Sequence, residues 1–305
     1  MRLKPQEMFA RAYGRYGVAA FNVFTAEQVR GVFAGASGVN VPVIIQITPA
    51  ARKYMGQEIL QGMITAAERA YPQAGVVVHL DHGDTQHCLS AIESGFYDSV
   101  MIDASHEPYE RNIALTKNIV DRAHEKGIAV EAELGVLAGV EDDRIGGEAR
   151  HTDPTQAAEF VDRSGCDSLA VAVGTSHGAY KFKGAMALNI GVLSRIQAAL
   201  PRFPLVLHGA SGVPQEEVAR INRAGGTLKT DSRGIAPEEL QGAIRRGVVK
   251  VNIATDLRLL WTRVCREFFR DTPEMFDPAI PGRTYMQELE LLVRQKCREL
   301  FVEGA

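Results

Sequence analysis

Cysteine is scarce in this chain. Its four cysteines (Cys88, Cys166, Cys265 and Cys297) are far apart in 305 residues and form no Cys-x-x-Cys pair. That spacing excludes a disulfide framework and a thiolate zinc site, and fits reduced thiols in a cytoplasmic protein. No run of some 18 uncharged apolar residues occurs, so no membrane-spanning helix is expected. The opening segment, MRLKPQEMFARAYGRYG, is basic but lacks an apolar centre, which excludes a secretory signal. Neither sign of charge dominates. Lys plus Arg is 34 and Asp plus Glu is 37, a net charge of −3. Nucleic acid and anionic membranes are therefore not expected partners. No linker rich in Gly, Pro or Ser divides the chain, and no repeat is visible. The expectation is one domain over 1–305, with a C-terminal helical extension from about 257 to 305 that carries the single tryptophan, Trp261.

Against these absences stands a regular alternation. Short apolar, β-branched runs recur at 18–23, 41–47, 75–81, 98–103, 128–134, 167–173, 204–209 and 248–254. Between them lie stretches with helical apolar spacing and proper ends. One covers 84–94, capped by Asp84 or Thr85 and stopped by Gly95; another covers 108–126, stopped by Gly127; a third covers 154–164, stopped by Gly165. Nearly continuous apolar strands alternating with helices indicate a parallel sheet covered by helices. Eight such units in about 250 residues predict a (β/α)8 TIM barrel. A doubly wound open sheet is the competing fold, but no Gly-x-Gly-x-x-Gly follows the first strand. The 19-residue connection 135–153, with its Glu141-Asp142-Asp143 cluster, reads as a polar, mobile active-site loop. The segment 210–247 is expected to hold helices at 215–223 and 237–246.

Chemistry in such barrels sits at the C-terminal strand ends. Polar residues collect there: Asn22, Thr48, Asp81, His82, Asp103, Glu133, His177, His208 and Asn252, beyond strand bodies read as apolar. A buried charge costs several kcal/mol unless it is paired or bound to metal, so such a cluster points to a functional site. His82, His177 and His208 end the third, sixth and seventh strands. Any one of them alone is an ordinary hydrogen-bonded histidine. Three imidazoles at one mouth suit a catalytic Zn²⁺, which takes three protein ligands and keeps an open position. His79 shares a strand face with Asp81. Two glycine loops, Gly174–Gly178 and His208–Gly212, expose backbone N–H groups that suit a phosphate, with Lys181 nearby.

These segments carry a family resemblance. His79-Leu80-Asp81-His82-Gly83, Glu131-Ala132-Glu133-Leu134-Gly135, Gly174-Thr175-Ser176-His177-Gly178, His208-Gly209-Ala210-Ser211-Gly212 and Val251-Asn252-Ile253-Ala254-Thr255-Asp256 occur in this order over nearly the whole chain. The set resembles the class II, zinc-dependent ketose-bisphosphate aldolases, which include fructose- and tagatose-1,6-bisphosphate aldolases. The resemblance implies a catalytic zinc held by His82, His177 and His208. It implies Asp81 as acid and base at the C4 oxygen, and Glu141 as the loop carboxylate moving the C3 proton, with Asp142 and Asp143 as neighbouring choices. Asp103 and Glu133, with Glu131 nearby, match a second divalent-metal position. Gly178, Lys181, Gly209, Ser211, Asn252 and Thr255 match the cradle for the dihydroxyacetone-phosphate end, supported in relatives by Na⁺ or K⁺. Arg258 matches an arginine that reaches the second phosphate, often across a subunit interface. The resemblance, with the tail from Trp261 to Phe301 as a subunit contact, implies a homodimer or homotetramer.

The chemistry agrees with this. Cleaving C3–C4 leaves an enediolate, and a Lewis acid that stabilises it removes the need for a Schiff-base lysine. Lys250, within the eighth run, keeps a lysine-imine route open but not favoured. Ala254 departs from the fructose pattern, where Asp is usual, and Thr48-Pro49 also looks tagatose-like. Lys53-Tyr54-Met55-Gly56, the segment 225–247 and Asp256-Leu257-Arg258 look fructose-like. Fructose 1,6-bisphosphate is the expected substrate and tagatose 1,6-bisphosphate, or another phosphorylated ketose, the alternative. A metal-dependent hydrolase is a further reading, but those enzymes often carry His-x-His on the first strand, where this chain has Phe21-Asn22. Intact Asp81, the three histidines and the Glu141 loop count against a non-catalytic paralogous subunit.

Overall fold

The fold comes from a computed structural model. It describes all residues except 137, 142–143, 146–149, 178–187, 232 and 303–305, and gives 138–141, 144–145 and 176–177 as backbone only. Strands β1 (Val18–Asn22), β2 (Val43–Ile47), β3 (Val76–Gly83), β4 (Ser99–Ile102) and β5 (Ala129–Leu134) follow one another around a barrel. Next in the chain come two short strands outside it, β6 (Ala138–Glu141) and β7 (Arg144–Ile145). Then follow β8 (Ser168–Val171), the short β9 (Ser176–His177), β10 (Leu205–Leu207) and β11 (Val248–Ile253). The barrel closes in the order β1-β11-β10-β8-β5-β4-β3-β2. Every neighbouring pair is parallel. Closure of eight parallel strands excludes the doubly wound sheet and gives the (β/α)8 barrel expected from the eight runs.

Strand alternation sorts the side chains. Ala19, Phe21, Ile45, Val78, Leu80, Val130, Ala132, Leu207, Val251 and Ile253 face outward and pack with the helices in one large core. Each fully buried Val, Leu, Ile or Phe there contributes about 1.5–3 kcal/mol. The opposite faces point into the barrel. Met101, Ala170 and Val206 fill part of that interior. Val18, Ala20, Ile44 and Val77 close its lower end against Met8, Phe9 and Ala12. Between that floor and the mouth the interior is polar, with His79, Ser99, Glu131, Ser168 and Lys250 buried there. The inner faces of the strand bodies thus carry polar residues beside apolar ones, which corrects the expectation that polarity is confined to strand ends.

Helix ends follow local chemistry. Asp84 caps Thr85–Ser94 by accepting from the His87 N–H, and Asp153 caps Pro154–Ser164 by accepting from Thr155 and Gln156. The helices of 210–247 are Gln215–Arg223 and Pro237–Ile244. The C-terminal tail forms two helices, Thr255–Asp271 and Ala279–Glu299. The second packs on Ala26–Ser37, where Gly35 allows close contact: a Cβ added there would lie 2.6 Å from Val293 Cβ. Connection 135–153 is not only loop. Its strands β6 and β7 pair antiparallel, and β6 also pairs parallel with β9, matching Gly139 to His177.

Candidate active site

The site is built where β3 breaks its own alternation. β3 and β4 pair His79 with Ser99 and Leu80 with Val100, then Gly83 with Ile102. β3 takes three steps where β4 takes two, so it carries one extra residue, a β-bulge. In a regular strand Asp81 and His82 would face opposite ways. The bulge, with His82 at φ 50°, turns both inward. A non-glycine residue in that backbone region is strained and is held there by its surroundings.

Three amides converge on Asp81, which is fully buried. Asn22 Nδ2 donates to Oδ2 at 2.7 Å, Gln46 Nε2 to the same oxygen at 3.4 Å, and Asn252 Nδ2 to Oδ1 at 3.2 Å. Three donors aimed at one carboxyl call for an acceptor-only, ionised carboxylate. Gln46, absent from the residues read as functional, has one signal in the sequence: a polar residue inside the apolar run 43–47.

The two described histidines are oriented by carboxylates. His82 Nδ1 lies 3.0 Å from Asp103 Oδ2, and Asp103 Oδ1 accepts from the Ser105 hydroxyl at 2.8 Å. His208 Nε2 lies 2.8 Å from Glu131 Oε1. Each of these ring nitrogens donates its proton to its carboxylate. The remaining nitrogens, His82 Nε2 and His208 Nδ1, then carry lone pairs and face each other at 2.9 Å. Asn252 Nδ2 lies 3.1 Å from His208 Nδ1. Burial, reinforced by His82, holds the His208 ring below the ordinary imidazole range despite Glu131, so it is neutral. Two imidazole nitrogens brought together, each ring backed by a carboxylate, are the donor set of a metal centre.

The potential ligand atoms of Asp81, His82 and His208 lie within 4.8 Å of one another, as do those of His82, Asp103 and Glu133. His82 belongs to both groups. Of the third imidazole, His177, the backbone is described, in β9; its side chain lies outside the described residues. So does the side chain of Glu141, in β6, and so do Gly178 and Lys181.

Of the residues expected to cradle a phosphate, Gly209, Ser211, Asn252 and Thr255 are drawn together by β10 and β11. Ser211 Oγ accepts from the N–H groups of Ala254 and Thr255, both at 3.2 Å. The Gly212 N–H donates to Asp256 Oδ2 at 3.0 Å. Gly209, at φ 62°, makes the turn after His208. Ala254 is buried and adds no polar atom. Thr48 caps Pro49–Met55 by accepting from the Ala51 N–H at 3.1 Å. Arg258 lies over the Phe24 ring at 5.0 Å, and with Lys53, Tyr54 and Trp261 it lines a cavity of about 640 Å³.

Lys250 donates to Glu131 Oε2 at 2.6 Å and is buried below the mouth. That placement disfavours it as an imine-forming amine.

A closed parallel barrel with paired histidines, inward carboxylates and serine–glycine turns at its mouth defines a metal-site barrel enzyme. Comparison narrows the class. Residues 4–305 match the family described as fructose-bisphosphate aldolase class-II. A fructose-bisphosphate aldolase of Thermus caldophilus is 45% identical over 272 residues, covering 88% of this chain and 87% of that one. A fructose-bisphosphate aldolase of Giardia intestinalis is 41% identical over 281 residues, covering 90% and 86%. The crystal structure of the YdjI aldolase of Escherichia coli K12 superposes with a TM-score of 0.79 at 31% identity, covering 100% of this chain and 99% of that one. The chain belongs to the class II fructose-bisphosphate aldolase family, whose members are metal-dependent carbon–carbon lyases.

Proposed function

We propose that the chain reversibly cleaves fructose 1,6-bisphosphate to dihydroxyacetone phosphate and glyceraldehyde 3-phosphate, with Zn²⁺ held by His82, His177 and His208. The convergence of the His82 and His208 lone pairs beside the buried Asp81 carboxylate carries this reading. A metal there supplies Lewis acidity, stabilising the negative charge that cleavage leaves on the ketose half.

The remaining work falls to the chain's own residues. Asp81, held by Asn22, Gln46 and Asn252, takes the proton of the C4 hydroxyl as C3–C4 breaks, and returns it in condensation. Glu141, from the loop between β5 and β8, moves the proton at C3. Asn252 orients the reacting oxygens. Gly178, Lys181, Gly209, Ser211 and Thr255 cradle one phosphate, with Na⁺ or K⁺ as a supporting ion. Arg258 takes the other, in the cavity it shares with Lys53. Asp103 and Glu133 serve a second divalent-metal position, with Glu131 nearby. Thr48 and Ala254 border the sugar.

The chain acts as a single barrel unit, 1–305, in the cytoplasm. Trp261, 39% exposed at the rim of the Arg258 cavity, belongs to the contact of a homodimer or homotetramer. Among the described residues no helix is long and apolar enough to cross a membrane.

Cleavage kinetics of fructose against tagatose 1,6-bisphosphate, each with and without chelator, test the proposal. Chelator-sensitive cleavage favouring fructose is expected. A preference for tagatose would make Ala254 and Thr48 the deciding positions, since a missing polar contact changes which epimer is held. Cleavage of neither by the zinc-loaded protein would overturn the substrate assignment.

A further inference from the structure

One ion pair inside the barrel has no part in the steps above. Lys250 lies two residues before Asn252 on β11, so both side chains point inward. The Lys250 side chain is 1% exposed and that of Glu131 is 2% exposed. The Lys250 ammonium donates to Glu131 Oε2 at 2.6 Å and lies 3.2 Å from His79 Nε2. An ammonium only donates, so His79 Nε2 accepts, and His79 Nδ1–H goes to Ser99 Oγ at 2.7 Å. The second Glu131 oxygen, Oε1, accepts from His208 Nε2 at 2.8 Å. The carboxylate is thus divided, one oxygen on the ammonium and one on the imidazole.

We propose that Lys250 is a positioning residue for the metal centre: by anchoring Glu131 it fixes the ring orientation and tautomer of His208, so that Nδ1 presents its lone pair at the mouth. The inference rests on the reading of His208 as a metal ligand. Four residues from four strands form the support: Ser99 on β4, His79 on β3, Lys250 on β11 and Glu131 on β5. No two neighbours along the contacts His79–Lys250–Glu131 sit on adjacent strands, so the chain of contacts spans the barrel interior. Stability alone does not call for this pair. An apolar pair of similar volume commonly fills a core as well or better, because it desolvates no charge. The contribution of the ion pair therefore falls on the group it holds, His208. Outer partners of metal-ligating histidines act in this way, through the ring proton they accept. Lys250 acts one contact further out.

The test is zinc affinity by competition with a chromophoric chelator, with the visible spectrum of the cobalt-substituted protein as a second readout. Lys250→Met is expected to weaken zinc binding about 10–100-fold and to alter the cobalt bands. The double variant Lys250→Met/Glu131→Leu buries no charge, which keeps the test open where the single variant folds poorly. It is expected to lose zinc affinity to the same extent as Lys250→Met, and not by the product of two losses, because both changes cut one line of contacts. Wild-type affinity and an unaltered cobalt spectrum in the folded double variant would overturn the proposal. His208→Ala separates the two readings. Undiminished zinc binding in that variant would remove His208 as a ligand. Lost binding there, with normal binding in both Lys250 variants, would overturn the role of Lys250 alone.

Discussion

Arg263 and the His82–His208 pair are both buried among ionisable groups, yet the two clusters are assembled differently. Arg263 lies in the C-terminal helical layer with a side chain 2% exposed. Its Nε donates to Glu217 at 2.9 Å, and Nη1 donates to Glu267 at 3.1 Å and to Glu288 at 3.2 Å. Nη2 donates to Glu288 as well. Every contact there joins a donor to an acceptor of opposite charge, and the glutamates reach solvent at their outer edges. In the barrel mouth, two acceptor nitrogens face each other instead. The helical cluster pairs each charge with its opposite, whereas the mouth gathers atoms that suit a positive ion. Burial of charge by itself therefore does not mark a site; the pairing of like atoms does.

The largest effect that separates the clusters is on rate. Asp81→Asn should lower kcat about 10²–10⁴-fold, the range for losing a general acid–base. It also turns an amide toward the donors of Asn22, Gln46 and Asn252. Steady-state cleavage kinetics beside a thermal melt should show activity falling while most of the melting temperature is kept. A loss under tenfold would remove Asp81 from the proton transfer.

Next comes the helical cluster. Arg263→Met removes the one cation that three glutamates share. The cost should be about 3 kcal/mol of unfolding free energy, at the low end for a broken buried pair because those carboxylates can rehydrate. Specific activity per folded molecule should stay unchanged. Denaturant unfolding with activity measured on the same sample checks both halves. A drop in kcat at full folding would show that the helical layer acts on the mouth.

The barrel half of this contrast was legible in the sequence, for a physical reason; the Arg263 cluster was not. The eight runs matched eight barrel strands within a few residues, because β-branched repetition and glycine stops are local signals. Asp81, His82 and His208 stood out because polar residues at the ends of apolar runs are expensive unless used. The β3 bulge was not legible: an Asp-His pair at a strand end reads the same with or without an extra residue. Nor was the Lys250–Glu131 contact, which joins β11 and β5 across the barrel between residues 119 apart in sequence. No periodicity reports a contact between strands that are not neighbours. The strands β6, β7 and β9 span two to four residues, too short for an alternation to be seen.

The smallest effect distinguishes the clusters by proton. Burial, with Lys250 beside it, lowers His79 from its ordinary value of 6.5 to about 3. The unfolded chain takes up that proton near pH 6.5 and the folded chain does not until about 3. Between those values the unfolded state binds more protons, so stability falls as pH falls. At pH 5.5, one unit below the unfolded value, the loss for His79 is about 1.4 kcal/mol, and His208, also lowered, adds to it. The helical cluster responds in a different window. Glu267 is held below its ordinary value of 4.5, first by its hydrogen bond from Arg220 and then by Arg263, against the opposing effect of burial. Its stabilisation is full above 4.5 and is lost only as pH falls further. Denaturant unfolding of the chelator-treated protein at pH 7.5 and 5.5 should therefore report the barrel interior and not the Arg263 cluster. His79→Gln, which cannot take the proton, should shrink the difference between the two pH values by about 1 kcal/mol, while Arg263→Met should leave that difference as it is. An equal loss in wild type and His79→Gln would remove His79 as a source of the acid sensitivity.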